Sequence, residues 1–246
     1  LMRISRLYLP APLTTGAEVK LDDRARQYVL QVLRLKPGAA LILFNGEGDE
    51  YAARLTLAEK RRATVFLGEK LSPERESPLA IHLGLGISKG ERMDYAIQKA
   101  VELGATEITP LFSQHCVVRL DEKRIQNRLR HWQAIIISAC EQCGRNRLAD
   151  LHTPMAFSRW IEMNNAEIDL ILAPQAGQVL GQIHPPPQQL RLAIGPEGGF
   201  SDEEIAAATS GGFTAVSLGP RILRTETAVV ASLSALQTLW GDLNTI

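Results

Sequence analysis

The spacing of hydrophobic positions changes near residue 80, and that change divides the chain. Before it, apolar and polar residues alternate in short runs, "RISRLYLP", "AALILFNG", "EYAARLTLAE" and "RATVFLGEKL", broken by Pro37-Gly38 and by "NGEGDE". A period of two marks half-buried strands, and turn residues between such runs mark a small β-barrel. One short helix, "DDRARQYVLQVLRL", is expected among the strands. The stretch "SPERESPLA" (72–80) is polar, holds two prolines and has no period, so it reads as a linker.

Beyond the linker, strand and helix patterns alternate. "LAIHLGLGI" is followed by "ERMDYAIQKAVELG", in which Ala96, Ala100, Val101 and Leu103 fall near a 3.6-residue period and Gly104 supplies a stop. "EITPLFS" precedes a helical region over about 121–143. "DLILAP", "RLAIGP" and "AVSLGP" are short apolar runs suited to parallel strands covered on both faces. The last segment, "TAVVASLSALQTLW", predicts a helix apolar around most of its circumference and ended by Gly241. Such alternation predicts an α/β layer fold.

Three of these strands end alike, at Ala173-Pro174, Gly195-Pro196 and Gly219-Pro220. Ligands of parallel sheets bind outside the carboxyl ends of the strands. Gly198 and Gly199 remove side-chain bulk there, while proline fixes φ and withholds a donor. The result is a wall of main-chain N–H and C=O groups, suited to a flat ligand read by its edges, such as adenine. Ser201 followed by Glu204 reads as a capping box opening the next helix. Any one of these loops alone reads better as an ordinary tight turn; three in a row favour a binding wall.

Charge refines the picture only locally. The 246 residues carry 27 basic and 27 acidic side chains, yet residues 1–72 hold twelve lysines and arginines against eight carboxylates, and 115–147 hold seven against three. A basic face is compatible with phosphate contacts, although a solvated helix has the same composition. Three cysteines make no disulfide framework, so a reducing, cytoplasmic setting is expected. No apolar stretch approaches the ~20 residues needed to span a membrane. "CEQC" (140–143) lacks a second pair, so reduced thiols and no metal centre are expected. Gly84-X-Gly86 evokes a dinucleotide turn, but the third glycine arrives one position late, at Gly90, with Lys89 in its place.

"GPEGG" followed by "LGPRILRTETA" resembles the C-terminal signature of the SPOUT methyltransferases. With "SPLAIHLGLGISKGERMDYAIQKAVELG", "ITPLFS", "ACEQCGRN" and "VLRLKPG", the whole chain is similar to the small-subunit ribosomal RNA (uracil-N3)-methyltransferase family. That resemblance implies a PUA-like β-barrel RNA-binding domain at 1–72 and a trefoil-knotted α/β domain at 73–246. It implies S-adenosyl-L-methionine bound in the knot, a homodimer formed through it, and methylation of N3 of a uridine in 16S ribosomal RNA, within the small ribosomal subunit. One departure is Tyr28, where the family commonly has a histidine ahead of "VLR".

Carried onto matching positions, the cofactor would lie against Leu172, Pro174, Gly195, Gly198, Leu218, Ile222, Leu223, Arg224, Thr227 and Ala228. Methyl transfer from a sulfonium needs alignment and exclusion of water more than covalent help. Uracil N3 is protonated at neutral pH and lies on the pairing edge, so the base must be splayed out and its developing anion stabilised. Among the charged candidates near the motifs, Arg221 and Arg145 are assigned that electrostatic role and Glu141 that of the base. For Glu141 the alternative is a surface carboxylate paired with Arg145, worth only ~0.2–0.5 kcal/mol. RNA contacts are expected from Arg3, Arg6, Arg34, Lys89, Arg92, Arg145 and Arg147, whose side chains suit phosphate. Two other readings stay open: a non-catalytic RNA-binding or ribosome-assembly factor on the same fold, and a nicotinamide oxidoreductase resting on "GLGISKG".

Overall fold

A computed structural model describes residues 4–116, 121–163, 166–183 and 187–244. The chain divides into two compact units, Leu1–Glu76 with Cys140–Leu148, and Ser77–Ala139 with Ala149–Ile246.

The first unit is a five-stranded sheet. Its elements are β1 (Ser5–Tyr8), β2 (Glu18–Lys20), α1 (Asp23–Gln27), β3 (Ala40–Phe44), β4 (Glu50–Glu59) and β5 (Arg62–Leu71). The strand order is β1-β3-β4-β5-β2, with β1 parallel to β3 and the other pairs antiparallel. Period-two alternation delivers Leu7, Leu41, Leu43, Leu55, Val65 and Leu67 to one buried core. The pattern did not disclose β2, because only Val19 of its three residues is even half-buried. Helix α1 starts where the Asp22 carboxylate accepts the Ala25 N–H at 2.7 Å and runs straight into a π-helical turn, Tyr28–Val32.

The stretch read as a linker is a strap. Glu76 accepts from Arg145 Nε at 2.8 Å and from the main-chain N–H groups of Asn146 and Arg147 at 3.1 and 3.0 Å. Arg75 donates to Glu50 and to the Gly144 carbonyl at 2.8 and 3.1 Å. Residues 140–148, expected in the second domain, therefore pack with the first unit, and the division falls after Glu76 rather than Ser72.

The second unit is an eight-stranded, wholly parallel sheet. It comprises β6 (Ala80–Gly86), α2 (Glu91–Glu102), β7 (Glu107–Phe112), α3 (Glu122–Cys143, whose last turn belongs to the first unit), β8 (Asp150–Leu151), β9 (Met155–Ala156), α4 (Phe157–Ile161), β10 (Ile168–Leu172), β11 (Gln178–Val179), β12 (Gln189–Ile194), α5 (Asp202–Ser210), β13 (Thr214–Ser217) and α6 (Thr225–Trp240). The order is β11-β13-β10-β12-β6-β7-β8, with β9 pairing beside β7. As expected of strands covered on both faces, β6 and β12 are buried almost throughout. The exception in kind is Arg191, 1% exposed, which lies beside its register partner Asp169 and donates to both of its oxygens at 2.6 and 2.5 Å. The rings of Trp160 and Phe213 flank its guanidinium at 5.0 and 4.9 Å. Nearby, burial pushes the His82 imidazole down to about 4 against the opposing pull of the Glu107 carboxylate, so the ring is neutral.

Helix α6 packs on α2 and on β12. The buried Gln237 amide donates to the Leu103 carbonyl at 3.0 Å and accepts from Ser77 Oγ at 2.6 Å. Gly104, the expected stop, has φ +84, and a Cβ there would meet Gln237 Nε2 at 2.5 Å. Among the described residues no helix is long and apolar enough to cross a membrane.

Gly84 and Gly86 of "GLGISKG" are strand residues and Gly90 caps α2 at φ +59, which corrects the dinucleotide reading. A Cβ on Gly84 would meet the Trp160 ring at 2.7 Å, and one on Gly86 would meet Pro196 N at 2.3 Å. Gly84 sits inside β6 with a partner strand on each side and Gly86 ends that strand beside Leu111, so neither glycine belongs to a loop that could cradle a phosphate. Gly86→Ala is expected to cost at least about 1–3 kcal/mol through overpacking against main chain that cannot move aside. Urea unfolding should show a lowered midpoint at unchanged slope; an unaltered midpoint would contradict this packing.

Candidate functional site

The wall is built where β10, β12 and β13 end. After Ile194 the chain turns at Gly195, whose Cβ would meet Gly199 C at 2.8 Å and Phe200 N at 2.9 Å, so the turn closes backbone on backbone. Gly199 N donates to the Pro196 carbonyl at 2.8 Å, and Gly199 itself holds φ +69, a region that disfavours any side chain. A Cβ on Gly198 would meet His115 Cβ at 2.8 Å; the His115 ring instead bonds the Gly198 carbonyl at 3.0 Å. Phe200 closes the loop by stacking on Phe157, centroids 4.4 Å apart. The capping box forms as expected: Ser201 Oγ accepts from Glu204 N at 3.2 Å while Glu204 accepts from Ser201 N at 3.0 Å.

Charges on this loop are fixed as well. Glu197 accepts from Lys89 N at 3.2 Å and from Arg92 at 3.3 Å. Burial pushes its carboxyl upward, but hydrogen bonds from main-chain N–H groups, including that of Lys89, and the Arg92 guanidinium outweigh burial and hold it below the usual range. Thr225 Oγ1 donates to the Gly195 carbonyl at 3.2 Å, joining the first turn of α6 to the end of β12.

Of the residues expected to hold a cofactor, Leu172, Gly195, Leu218 and Leu223 are half-buried, Pro174, Gly198, Arg224 and Thr227 are exposed, and Ala228 is buried. Ile222 is 87% exposed, an unusual position for a bulky aliphatic side chain. Arg221 is exposed beside it. Glu226, in the first turn of α6, has a buried Oε2 without a hydrogen-bond partner. A groove of about 520 Å³ runs alongside, lined by Leu180, Leu218, Gly219, Ala235 and Leu239 among others. A larger cavity of about 990 Å³ opens at the opposite ends of β10 and β13. Size does not select the site, because Asp169 faces that cavity with both oxygens already held by Arg191, whereas ligands of parallel sheets gather at the carboxyl ends.

Within the first unit the structure corrects three assignments. Glu141 is not a surface carboxylate paired with Arg145. Its side chain is 7% exposed, and Oε1 accepts from Tyr8 N and Arg24 Nη1, both at 3.0 Å. The carboxylate ties Tyr8 and Arg24 to the end of α3 instead of facing a substrate, so the role of base falls away. Arg145 is 6% exposed and bound to Glu76. Arg6 is 8% exposed, pairs with Glu50 and Asn146, donates to the Arg145 carbonyl at 3.3 Å and lies 4.9 Å over the Phe44 ring. Burial pushes the Glu50 carboxyl up, but the hydrogen bonds and charges of Arg6 and Arg75 outweigh it and hold the group low. Guanidiniums committed in this way are not available to phosphate. Arg34 and Arg147 are exposed in this unit, as are Lys89 and Arg92 in the other; Arg3 lies outside the described residues. Arg34 is also the one described non-glycine residue with positive φ, +51.

Residues 75–237 match the model of an RNA methyltransferase domain, and residues 21–67 that of an RNA methyltransferase PUA domain. Ribosomal RNA small subunit methyltransferase E of Buchnera aphidicola is 37% identical over 98% of this chain and 99% of its own. A Legionella pneumophila protein solved with the bound cofactor SAM superposes with a TM-score of 0.96 at 42% identity, over 98% of this chain and 100% of that one. Ribosomal RNA small subunit methyltransferase E of Neisseria gonorrhoeae, bound to S-adenosyl methionine, gives 0.92 at 42% identity over the same shares.

If Arg6 is a framework residue, Arg6→Met should lower stability by roughly 3 kcal/mol, the low end for breaking a buried pair, since Arg75 still faces Glu50. The slope of RNA affinity against salt should not change. A slope reduced by about one charge would return Arg6 to the phosphate contacts.

Proposed function

This chain belongs to the RNA methyltransferase family, and we propose that it transfers a methyl group from S-adenosylmethionine to N3 of a uridine in 16S ribosomal RNA of the small subunit. The observation that carries this reading is the backbone wall at Gly195–Gly199 and Leu218–Leu223, with Ile222 bare and the Glu226 carboxylate unpartnered. These features fit an adenosyl cofactor: main-chain groups for the adenine edge, Leu172, Leu218, Ile222 and Leu223 as apolar walls, and an orphaned anion where the ligand carries positive charge. S-adenosylmethionine, when bound, supplies an electrophilic methyl group on a sulfonium.

The chain's own residues then position and stabilise. Arg221, exposed next to the wall, is assigned to the negative charge that spreads over O2, N3 and O4 of the uracil as N3 loses its proton. Neither Glu141 nor Arg145 has a chemical part in this reading. Of the arginines and lysines expected at RNA, Arg34, Lys89 and Arg147 are left for its backbone, while Arg92 shares its exposed guanidinium with Glu197. Holding a long side chain at positive φ, as Arg34 does, costs about 1–2 kcal/mol, and such strain is typically retained where a side chain must reach a ligand. The target base has to be splayed from its neighbours, since N3 lies on the pairing edge.

The reading extends to architecture. A trefoil knot with α6 threaded through it agrees with β12 lying between β10 and β6, and with the ties from α6 to Gly195, Leu103 and Ser77. A homodimer through the knot would cover the bare Ile222, Leu239 (43% exposed) and Val179 (41% exposed). Cys116, Cys140 and Cys143, none of them in a disulfide, suit the cytoplasm, where small subunits are assembled.

Labelled S-adenosylmethionine, incubated with small subunits lacking native modification and with naked RNA, should yield N3-methyluridine on nucleoside mass analysis. Arg221→Ala should lower kcat about 100-fold while calorimetric affinity for S-adenosylmethionine stays within about twofold. Label in another nucleoside would overturn the uridine assignment. Cofactor binding without transfer to either RNA substrate would favour the assembly-factor reading.

A further inference from the structure

Three groups that the methyl-transfer reading does not use meet at the other end of the parallel sheet. His82 is the third residue of β6, Glu107 the first of β7, and His152 follows β8 directly. Adjacent strands hold them in register: His82 pairs with Glu107, Glu107 with Asp150, and His152 N bonds the Ile108 carbonyl at 2.9 Å. His152 Nε2 lies 2.8 Å and His82 Nδ1 3.7 Å from the same oxygen, Glu107 Oε2. One ligating atom from each residue falls within 4.8 Å of the others.

His82 is the decisive member. Its side chain is 3% exposed, and Nδ1 is buried without a hydrogen-bond partner while facing Glu107. The opposite nitrogen, Nε2, lies 2.7 Å from Thr109 Oγ1. A hydroxyl accepts as readily as it donates, so Nε2–H can donate a hydrogen bond to Thr109 Oγ1 and leave the Nδ1 lone pair toward Glu107. Fixing one ring nitrogen by such a bond is how proteins orient a ligating histidine. The Trp160 indole N–H reaches the same Nε2 only at 3.4 Å, long for a hydrogen bond.

We propose that His82, Glu107 and His152 bind one divalent transition-metal ion of the zinc class. Two imidazoles and one carboxylate suit zinc and leave a coordination position for water. That position is open to solvent, because the Glu107 and His152 side chains are 28% and 40% exposed. The surrounding charge is compatible: the nearby Arg191 cation is paired with both oxygens of Asp169. Bridging β6, β7 and the end of β8, the ion would clip the sheet at the end opposite the cofactor wall, and so would bind and stabilise without entering methyl transfer.

The test uses the full chain, dialysed against chelator and titrated with zinc, then with cobalt as a spectroscopic substitute. One equivalent should bind, the unfolding temperature should rise, and cobalt should show visible absorption of low-coordinate nitrogen and oxygen ligation. In His152→Ala, and in the near-isosteric Glu107→Gln, affinity should fall by at least about 100-fold, the upper end of losses seen on removing even an outer-shell partner. The thermal shift should vanish with it. His131→Ala, which removes a half-exposed histidine bonded to Asp94, should bind as the parent does. Absence of saturable binding, unchanged affinity in both ligand variants, or a thiolate signature in the cobalt spectrum would each overturn the proposal.

Discussion

At the carboxyl ends of β6 and β12 there is no space for a β-carbon. Gly86 lies so close to Pro196, and Gly195 so close to Gly199 and Phe200, that main chain meets main chain. The backbone wall proposed to receive the cofactor depends on this contact. It draws the β12 loop down onto its neighbour strand, lets Phe200 stack on Phe157, and presents the loop's carbonyls and N–H groups with almost no side chain in front of them. The tie from Thr225 to Gly195 carries the same constraint into α6, where Glu226 and Ala228 sit. A rigid wall costs little further ordering when a ligand arrives, which is how preorganised sites gain affinity.

The second organising feature is the spending of charge inside the first unit. Arg6, Arg75 and Arg145 meet Glu50 and Glu76, and Arg24 meets Glu141; Arg6, Arg145, Glu50 and Glu141 are shielded from water, whereas Arg75 and Arg24 reach in from the surface. Buried pairs of this kind add little net stability, but losing one member leaves the other uncompensated. They bind the segments 72–76 and 140–148 to the sheet that β1 and β4 belong to. The basic excess of this region is thereby divided. Part of it is framework, and only the exposed remainder, with Arg34 and Arg147, faces solvent.

Legibility in the sequence followed the physics of each feature. Strands with a clear period, such as β4 and β5, and the continuous apolar runs of β6, β10, β12 and β13 were all readable, as were Gly104 as a stop and the Ser201–Glu204 box. Elements of two or three residues, β2, β8, β9 and β11, were not, because they are too short to carry a period and exist through pairing alone. The roles of Glu141, Arg6 and Arg145 were misjudged for a related reason. Whether a charge is solvated or paired depends on residues far off in the chain, 133 positions away for Tyr8 and Glu141, and no local pattern reports that. Ile222 and Glu226 stood inside a readable motif, yet only the fold exposed one and left an oxygen of the other without a partner. His82, Glu107 and His152 left no motif at all, since strand register brings them together.

The central claim is that main-chain groups at the ends of β10, β12 and β13 receive the cofactor. Amide hydrogen exchange with and without S-adenosylmethionine tests it most directly. Exchange should slow at 172–174, 195–199 and 218–224, with little change at 82–90. Protection confined to 82–90, or absent from all three loops at saturating cofactor, would contradict it.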